Sequence, residues 1–310
     1  MSLSFAKPTT RTIIRTLIPI GTALLAFVVT GFLLLAGGFD PLEAYGLILQ
    51  GSVGGVREGG ETLVRTTSLL LTGLAVGFAF RCKIWNIGAE GQLYFGAIGA
   101  VVIALTVVGQ IPVFGIIIAI IFAMIFGAGW AAIAGVLKSR LGVNEIIVTV
   151  MLNFIAILFV DFLVHGALKA PGFEPQTALI PLTSQLPILI EGTRLHAGFL
   201  VAIAAAVLIY LILFKTKTGF SLRATGVNPK ASGYAGINVK RSILLTLLIS
   251  GAVAGIAGAC LVQGVNDRLL VGISPGYGFI AIIIALLGRE HPLGITFVAI
   301  FFGALMSGAN

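Results

Sequence analysis

Charge is what this chain has least of. Only 10% of its 310 residues are Asp, Glu, Lys or Arg, and its mean hydropathy is +1.12. A soluble domain carries about 25% charged residues, so a soluble fold is excluded. Cysteine is scarce as well. Cys82 and Cys260 fit neither a CxxC nor a metal-ligand spacing and read as free thiols. Three histidines are present: His165 and His196 read as lying near the outer side, far from any second metal-type ligand, and His291 as a residue shaping a turn. Asp161 reads as a helix-boundary residue, and no metal site is expected. The sequence holds no HExxH, no Ser/His/Asp set and no paired mid-span carboxylates, so no catalytic residue is assigned. It also holds no GxxxxGK[ST] loop, so it does not bind ATP in that way. A net charge of +8 would suggest nucleic acid in a soluble protein; here the placement of the cations matters more, and no nucleic-acid partner is expected.

What the chain does have is long apolar runs. The first, Thr16 to Phe39, carries no charge over 24 residues, longer than the apolar core of a signal peptide. It reads as a membrane helix, since about 20 apolar residues span a bilayer core. Further runs fall near 63–80, 86–108, 111–137, 145–168, 197–214, 242–263, 272–288 and 292–308. The expected fold is therefore all-α, a polytopic helical bundle of about nine spans in one membrane domain covering 1–310. The runs 63–80 and 272–288 are short and Gly-rich, which suits broken or re-entrant segments. With the N-terminal segment 1–15 placed in the cytoplasm, fourteen of the nineteen Lys and Arg residues fall inside. The opposite orientation would contradict the positive-inside rule. The long segments 37–62 and 169–196 then lie outside, as connectors or as docking surfaces for an extracytoplasmic partner.

Polar residues within spans are costly and turn toward the protein interior or a path. Glu145, Thr149 and Asn153 recur at i, i+4 and i+8 and share one helix face. Asn86, Glu90 and Tyr94 repeat the spacing, with Gln92 beside them. Tyr94 and Asn153, with Gln92 and Asn86, are candidates for lining a path that offers hydrogen bonds and an aromatic surface. The competing reading is hydrogen bonding between helices. Glu90 is a path candidate too, although its nearness in sequence to Arg81 and Lys83 favours an ion pair. In "SPGYGF", Tyr277 and Phe279 are candidates at the outer end of a span, where broken helices form sites in transporters. Gly251, Gly255 and Gly258 read as helix-packing residues.

The densest cationic stretch, 215–241, holds six Lys and Arg and no acid. Asn228 reads as an N-cap, Pro229 as the first helical residue and Gly236 as a left-handed terminator. The short cytoplasmic helix between them would be unstable alone and needs something to pack against. Anionic lipid is one candidate surface and a separate motor protein is another.

"GFSLRATGVNPKASGYAGINV" with "SGAVAGIAGA", "TGLAVGFAFRCKIWNIGAEGQLYFGAIGA", "NEIIVTVMLNFIA" and "SPGYGFIAIIIALLGREHPLG" resemble, in order, bacterial ABC-transporter permeases of the nucleoside and simple-sugar branch, related to ribose and branched-chain amino-acid importers. The resemblance runs from about Asp40 onward. It implies that loop 215–241 carries a coupling helix docking on an ATPase subunit, with Arg223, Asn228, Pro229, Lys230 and Gly236 in that loop. It implies ATP and magnesium on the ATPase and no cofactor on this chain. The further partners it implies are a second related permease (a heterodimer, with a homodimer as the alternative), an extracytoplasmic substrate-binding lipoprotein and the lipid bilayer. It places the chain in the bacterial plasma membrane as a multi-pass importer subunit with its N-terminus inside. Family members continue with a further helix beyond the position of Asn310, so ten spans are expected in the family. The alternative is an ion-coupled secondary transporter, which would have to work with Glu90, Glu145 and Asp161.

Overall fold

The computed structural model describes the backbone of residues 10–309 and the side chains of 21, 22 and 24–309. Most of the N-terminal segment 1–15 and the last residue, Asn310, therefore lie outside the described residues. Among the described residues the fold is all-helical, with two isolated β-bridges. In chain order the helices are α1 (Thr10–Ala36), α2 (Pro41–Val53), α3 (Val56–Arg81), α4 (Ala89–Ala104), α5 (Phe114–Leu141) and α6 (Glu145–His165). There follow α7 (Gly198–Lys215), α8 (Lys217–Val227), α9 (Pro229–Tyr234), α10 (Val239–Leu261), α11 (Tyr277–Leu287) and α12 (Pro292–Gly308). Five of these stretches are long and apolar enough to cross a membrane: α3, α5, α6, α7 and α10 with its extension to Asn266. α4, α11, α12 and the described half of α1 are shorter apolar helices. Each apolar run thus falls on a helix. Segment 37–62 is not a plain connector, because it holds α2 and the first turns of α3. Run 63–80 is not broken; it is the interior of the continuous 26-residue α3.

Local chemistry sets the boundaries. Asp40, Asn144, Asn228 and Asn238 each accept a hydrogen bond from a backbone N–H of the helix they precede, at 2.8–3.0 Å. α2, α9 and α12 begin with Pro, whose missing N–H costs nothing there. α10 passes into a π-helical turn, Val262–Asn266, and ends at Asp267 in the left-handed conformation.

The core is α3, α4, α5 and α10. Close approach rests on small residues: a Cβ on Gly255 would stand 2.2 Å from the Ala123 carbonyl, and one on Gly251 2.4 Å from that of Gly127. The expected packing role of these glycines is what the structure shows. α3 is enclosed along its length, whereas α1, α5 and α6 leave rows such as Ile147, Phe154, Leu158 and Phe162 exposed, as a surface against lipid or another subunit requires.

Two ends are distinct. One gathers Arg81, Lys83, Lys138, Arg223 and the α8–α9 pair; Glu290, in the turn before α12, lies 4.0 Å from Arg81 and 3.8 Å from Lys83. At the other end, segment 169–196 folds over the tips of α5 and α10. Thr177 and Ile180 donate to the Leu269 and Asp267 carbonyls, Leu186 to that of Gln263, and Ser184 Oγ to that of Gly109.

Candidate functional site

Two of the membrane-depth helices are half-length. α11 has 11 residues and rises about 16 Å from the cation-rich end, so its N-terminus lies near the middle of a core about 30 Å thick. α4 begins only at Ala89, and residues 82–88 climb to it from the same end without helical structure. The run 272–288 is thus broken, one of the two forms expected, with only Tyr277–Leu287 helical. Asn86 does not share a helix with Glu90 and Tyr94, contrary to the spacing read from the sequence, because it lies in the unwound segment.

The two half-helices meet at their N-termini. The Glu90 carboxylate accepts from Gly278 N at 2.6 Å, with Ser274 and the Gly276 N–H beside it. A carboxylate there is favoured by the helix dipole and by otherwise unpaired N–H groups. Only glycine fits at 278, where a Cβ would stand 2.2 Å from Glu90 N. The expected ion pair of Glu90 with Arg81 and Lys83 is overturned: those cations face Glu290. Nearness in sequence misled because the unwound segment carries Glu90 away from them in depth.

In the unwound segment, backbone groups that a helix would have paired internally are met by side chains from α6. Glu145 Oε1 accepts from Trp85 N at 3.3 Å, Thr149 Oγ1 from Ile87 N at 3.3 Å, and Asn153 Oδ1 from Gly91 N at 2.8 Å. Asn153 Nδ2 returns a bond to the Ile87 carbonyl at 2.8 Å. The stripe at i, i+4, i+8 is therefore a row of ties to α4 and its approach. Lys138 Nζ holds the other Glu145 oxygen at 2.5 Å. On the opposite side Asn86 and Gln92 exchange a reciprocal pair of amide hydrogen bonds, both 3.0 Å. Asn86 also donates to Ser250 Oγ, which donates to the Ala75 carbonyl.

These groups are shut away from solvent: Asn86 and Asn153 are 0% exposed, Glu90 1%, Gln92 2% and Tyr94 2%. Tyr94 reaches the Ser274 backbone and Tyr277 is buried, while Phe279 is 38% exposed. The structure brings Asn86, Glu90, Gln92, Tyr94, Asn153 and Tyr277 into one packed seam and leaves Phe279 at its edge.

At the cation-rich end Asn228 caps α9 through Ala231 N, and Gly236 has φ +81°, as the sequence implies. α8 was not anticipated; it runs almost without a break from α7. Pro229, Lys230 and Tyr234 are exposed, Tyr234 fully so at 95%. Arg223 instead turns inward, its guanidinium 5.2 Å from the centre of the Phe214 ring. Arg81 reaches the same ring at 5.6 Å, and His291, which caps α12, packs beside it at 5.3 Å.

One polar residue escaped notice in the sequence. Arg65, on α3, lies about one turn deeper than Glu61, and its Nε is buried without a hydrogen-bond partner. A lone cation near a span end reads as a boundary residue, and only Glu61 four positions earlier hinted at more.

Over residues 60–310 the chain matches the family described as branched-chain amino acid transport system / permease component. It is 37% identical over 299 residues to the guanosine ABC transporter permease protein NupP of Bacillus subtilis, which spans 94% of this chain and 85% of that one. It is 33% identical over 305 residues to the nucleoside ABC transporter permease protein NupB of Lactococcus lactis, covering 95% and 84%. The glucose ABC transporter permease protein TsgB13 of Haloferax volcanii is 34% identical over 307 residues, covering 94% and 80%. No solved structure matches the chain.

Proposed function

The chain belongs to the family of branched-chain amino acid transport permease components, and from that premise we propose that it is the membrane subunit of an ATP-binding-cassette importer for a nucleoside or a simple sugar. The cation-rich end is cytoplasmic, in keeping with the positive-inside rule. The substrate arrives at the other end from a binding lipoprotein in the plasma membrane of a bacterium. ATP and magnesium sit on a separate ATPase, and a second related permease completes the membrane pore.

The observation that carries this reading is α9. Six residues cannot hold a helix in water on their own, yet this one is capped at its start and presents Lys230 and Tyr234 to solvent on a loop between two spans. Such a helix suits docking into a groove of a motor. Arg223 serves behind it: through Phe214 it touches Arg81 at the end of α3 and His291 at the start of α12. A push on α8–α9 is thereby delivered to the half-helix α11 and the unwound approach to α4. The seam of Asn86, Glu90, Gln92, Tyr94, Asn153 and Tyr277 is a closed gate, whose hydrogen-bond partners exchange for substrate hydroxyls when it opens.

Cross-linking tests the docking surface. Cys82 and Cys260 are free but buried, so a cysteine placed at Tyr234 is read on a quiet background. A Tyr234→Cys chain is expected to cross-link to the co-expressed ATPase through a bismaleimide. A cysteine at Phe173, fully exposed at the other end, is not. Cross-linking from Phe173→Cys alone would overturn the reading.

A further inference from the structure

At the end away from the cations, a cleft of about 590 Å³ opens between the end of α2, the start of α3, the turn at 192–194 and the end of α12. That volume lies within the range of small-molecule sites, roughly 300–1,000 Å³. Its wall includes Arg57, Glu58, Glu61, Thr193, Arg194 and Ser307. Charge is scarce in this chain, so three acids and bases on one helix end facing a fourth group across a cleft call for an explanation.

Glu61 Oε1 stands between two guanidinium groups, 3.9 Å from Arg65 Nε and 3.7 Å from Arg194 Nη1. Both are ion-pair distances, longer than hydrogen bonds. Arg65, one turn further along α3, lies behind the lining of the cleft and backs Glu61 from within. Carboxylate and guanidinium therefore stand side by side with hydrogen-bonding capacity to spare. The Glu61 oxygens accept from hydroxyls, and Arg194 Nη1 donates to an oxygen. A vicinal diol supplies both. An anion would meet Glu58 and Glu61 as well as the arginines, so a neutral polyhydroxylated ligand suits the mixed charge better. Deeper in, Tyr277 lies within the electrostatic reach of Arg65, Glu61, Arg194 and Glu90, and Thr72 Oγ1 reaches its carbonyl at 3.4 Å. The cleft thus points down to the junction of the two half-helices.

We infer that this cleft is an entry site of the permease itself, taking the sugar moiety of the substrate through its vicinal diol on Glu61 and Arg194. The inference rests on the importer reading above. It assigns the chain a share of the selection, in addition to that made by any binding protein.

The test uses the complete permease–ATPase complex in nanodiscs, without binding protein. Arg57→Cys places a thiol at the cleft mouth, and its labelling by a membrane-impermeant maleimide is followed with guanosine, ribose, glucose or 2′,3′-dideoxyguanosine added. At least one of the diol-bearing compounds is expected to slow labelling severalfold, and the dideoxy compound is not. Adding Glu61→Gln on the same background is expected to abolish protection, while Glu61→Asp retains part of it and the melting temperature of both stays that of the parent. Equal protection by the dideoxy compound, or protection that survives Glu61→Gln, overturns the inference, as does no protection by any compound. ATP-driven uptake by the wild-type complex is measured in parallel. Uptake without protection sinks the cleft and spares the importer; protection without uptake does the reverse.

Discussion

Asn153 spends both ends of its amide on the backbone around α4, accepting from Gly91 N and donating to the Ile87 carbonyl. Truncating it leaves two buried backbone groups unpaired, each worth about 1–3 kcal/mol. Asn153→Ala should therefore lower the melting temperature of the purified protein clearly, and a thermal-shift assay in detergent checks it. Ser139→Ala, at a half-buried position on α5 whose hydroxyl only bonds back to the Val136 carbonyl, should leave it unchanged. His196 carries a pH prediction. Burial first, then Arg194, lower its pKa from 6.5 to about 4, and its Nδ1 accepts from Gly198 N at 3.1 Å. The folded state thus binds a proton less readily than the unfolded one. Its contribution is complete above pH 6.5 and is lost progressively as the pH falls toward 4. Melting temperature recorded across that window should fall, and fall less steeply in His196→Gln. The polar types at these places were legible in the sequence, but their partners were not. Trp85, Ile87 and Gly91 meet Glu145, Thr149 and Asn153 across 60 to 62 residues of chain, a separation that no periodicity reports.

Among the elements, α9 and the glycine contact between α5 and α10 make the sharpest demands. Loss of the Asn228 cap costs about 1 kcal/mol, a large share for a six-residue helix. Asn228→Ala should weaken stimulation of the partner ATPase by substrate-loaded binding protein while leaving the purified permease as stable as before. Gly255→Val puts a side chain where the Ala123 carbonyl already stands at 2.2 Å from a Cβ. It should separate α10 from α5 and abolish monodisperse elution on size exclusion. Helix positions were largely readable, because several helices begin at an Asn or a Pro, or end at a Gly, whose capping chemistry is local. The two interruptions were only half readable. Gly and Pro in "SPGYGF" signalled the break before α11. The unwound stretch 82–88 was only partly signalled, because 81–85 reads as a connector whereas Asn86, Ile87 and Gly88 read as the start of the next span. α8 was missed for a related reason: Gly219, Thr225 and Gly226 read as loop residues, yet Thr216 caps the helix through Gly219 N and α10 packs against it.

At the scale of the molecule, one line of polar groups runs through an otherwise apolar bundle. It begins at Glu61, Arg65 and Arg194, passes Tyr277 and Glu90 at the meeting of α4 and α11, continues through Asn86, Gln92 and Asn153, and ends at Glu145 and Lys138. Along it the backbone is twice unwound, which a bilayer tolerates only inside protein or beside a polar path. The cation-rich end meets one end of it: Lys83 and Lys138 flank the approach to α4, while Arg223 leans on Phe214. Membership of the permease family is what suggests a purpose for that line. The most direct test is uptake of labelled guanosine, ribose and glucose into proteoliposomes holding the permease, its ATPase and the binding protein, with ATP sealed inside or left out. The account predicts accumulation of at least one of these only with internal ATP, abolished by Lys230→Glu with Tyr234→Glu while the complex still assembles. Accumulation by this chain alone, without the ATPase and driven by an ion gradient, would contradict it.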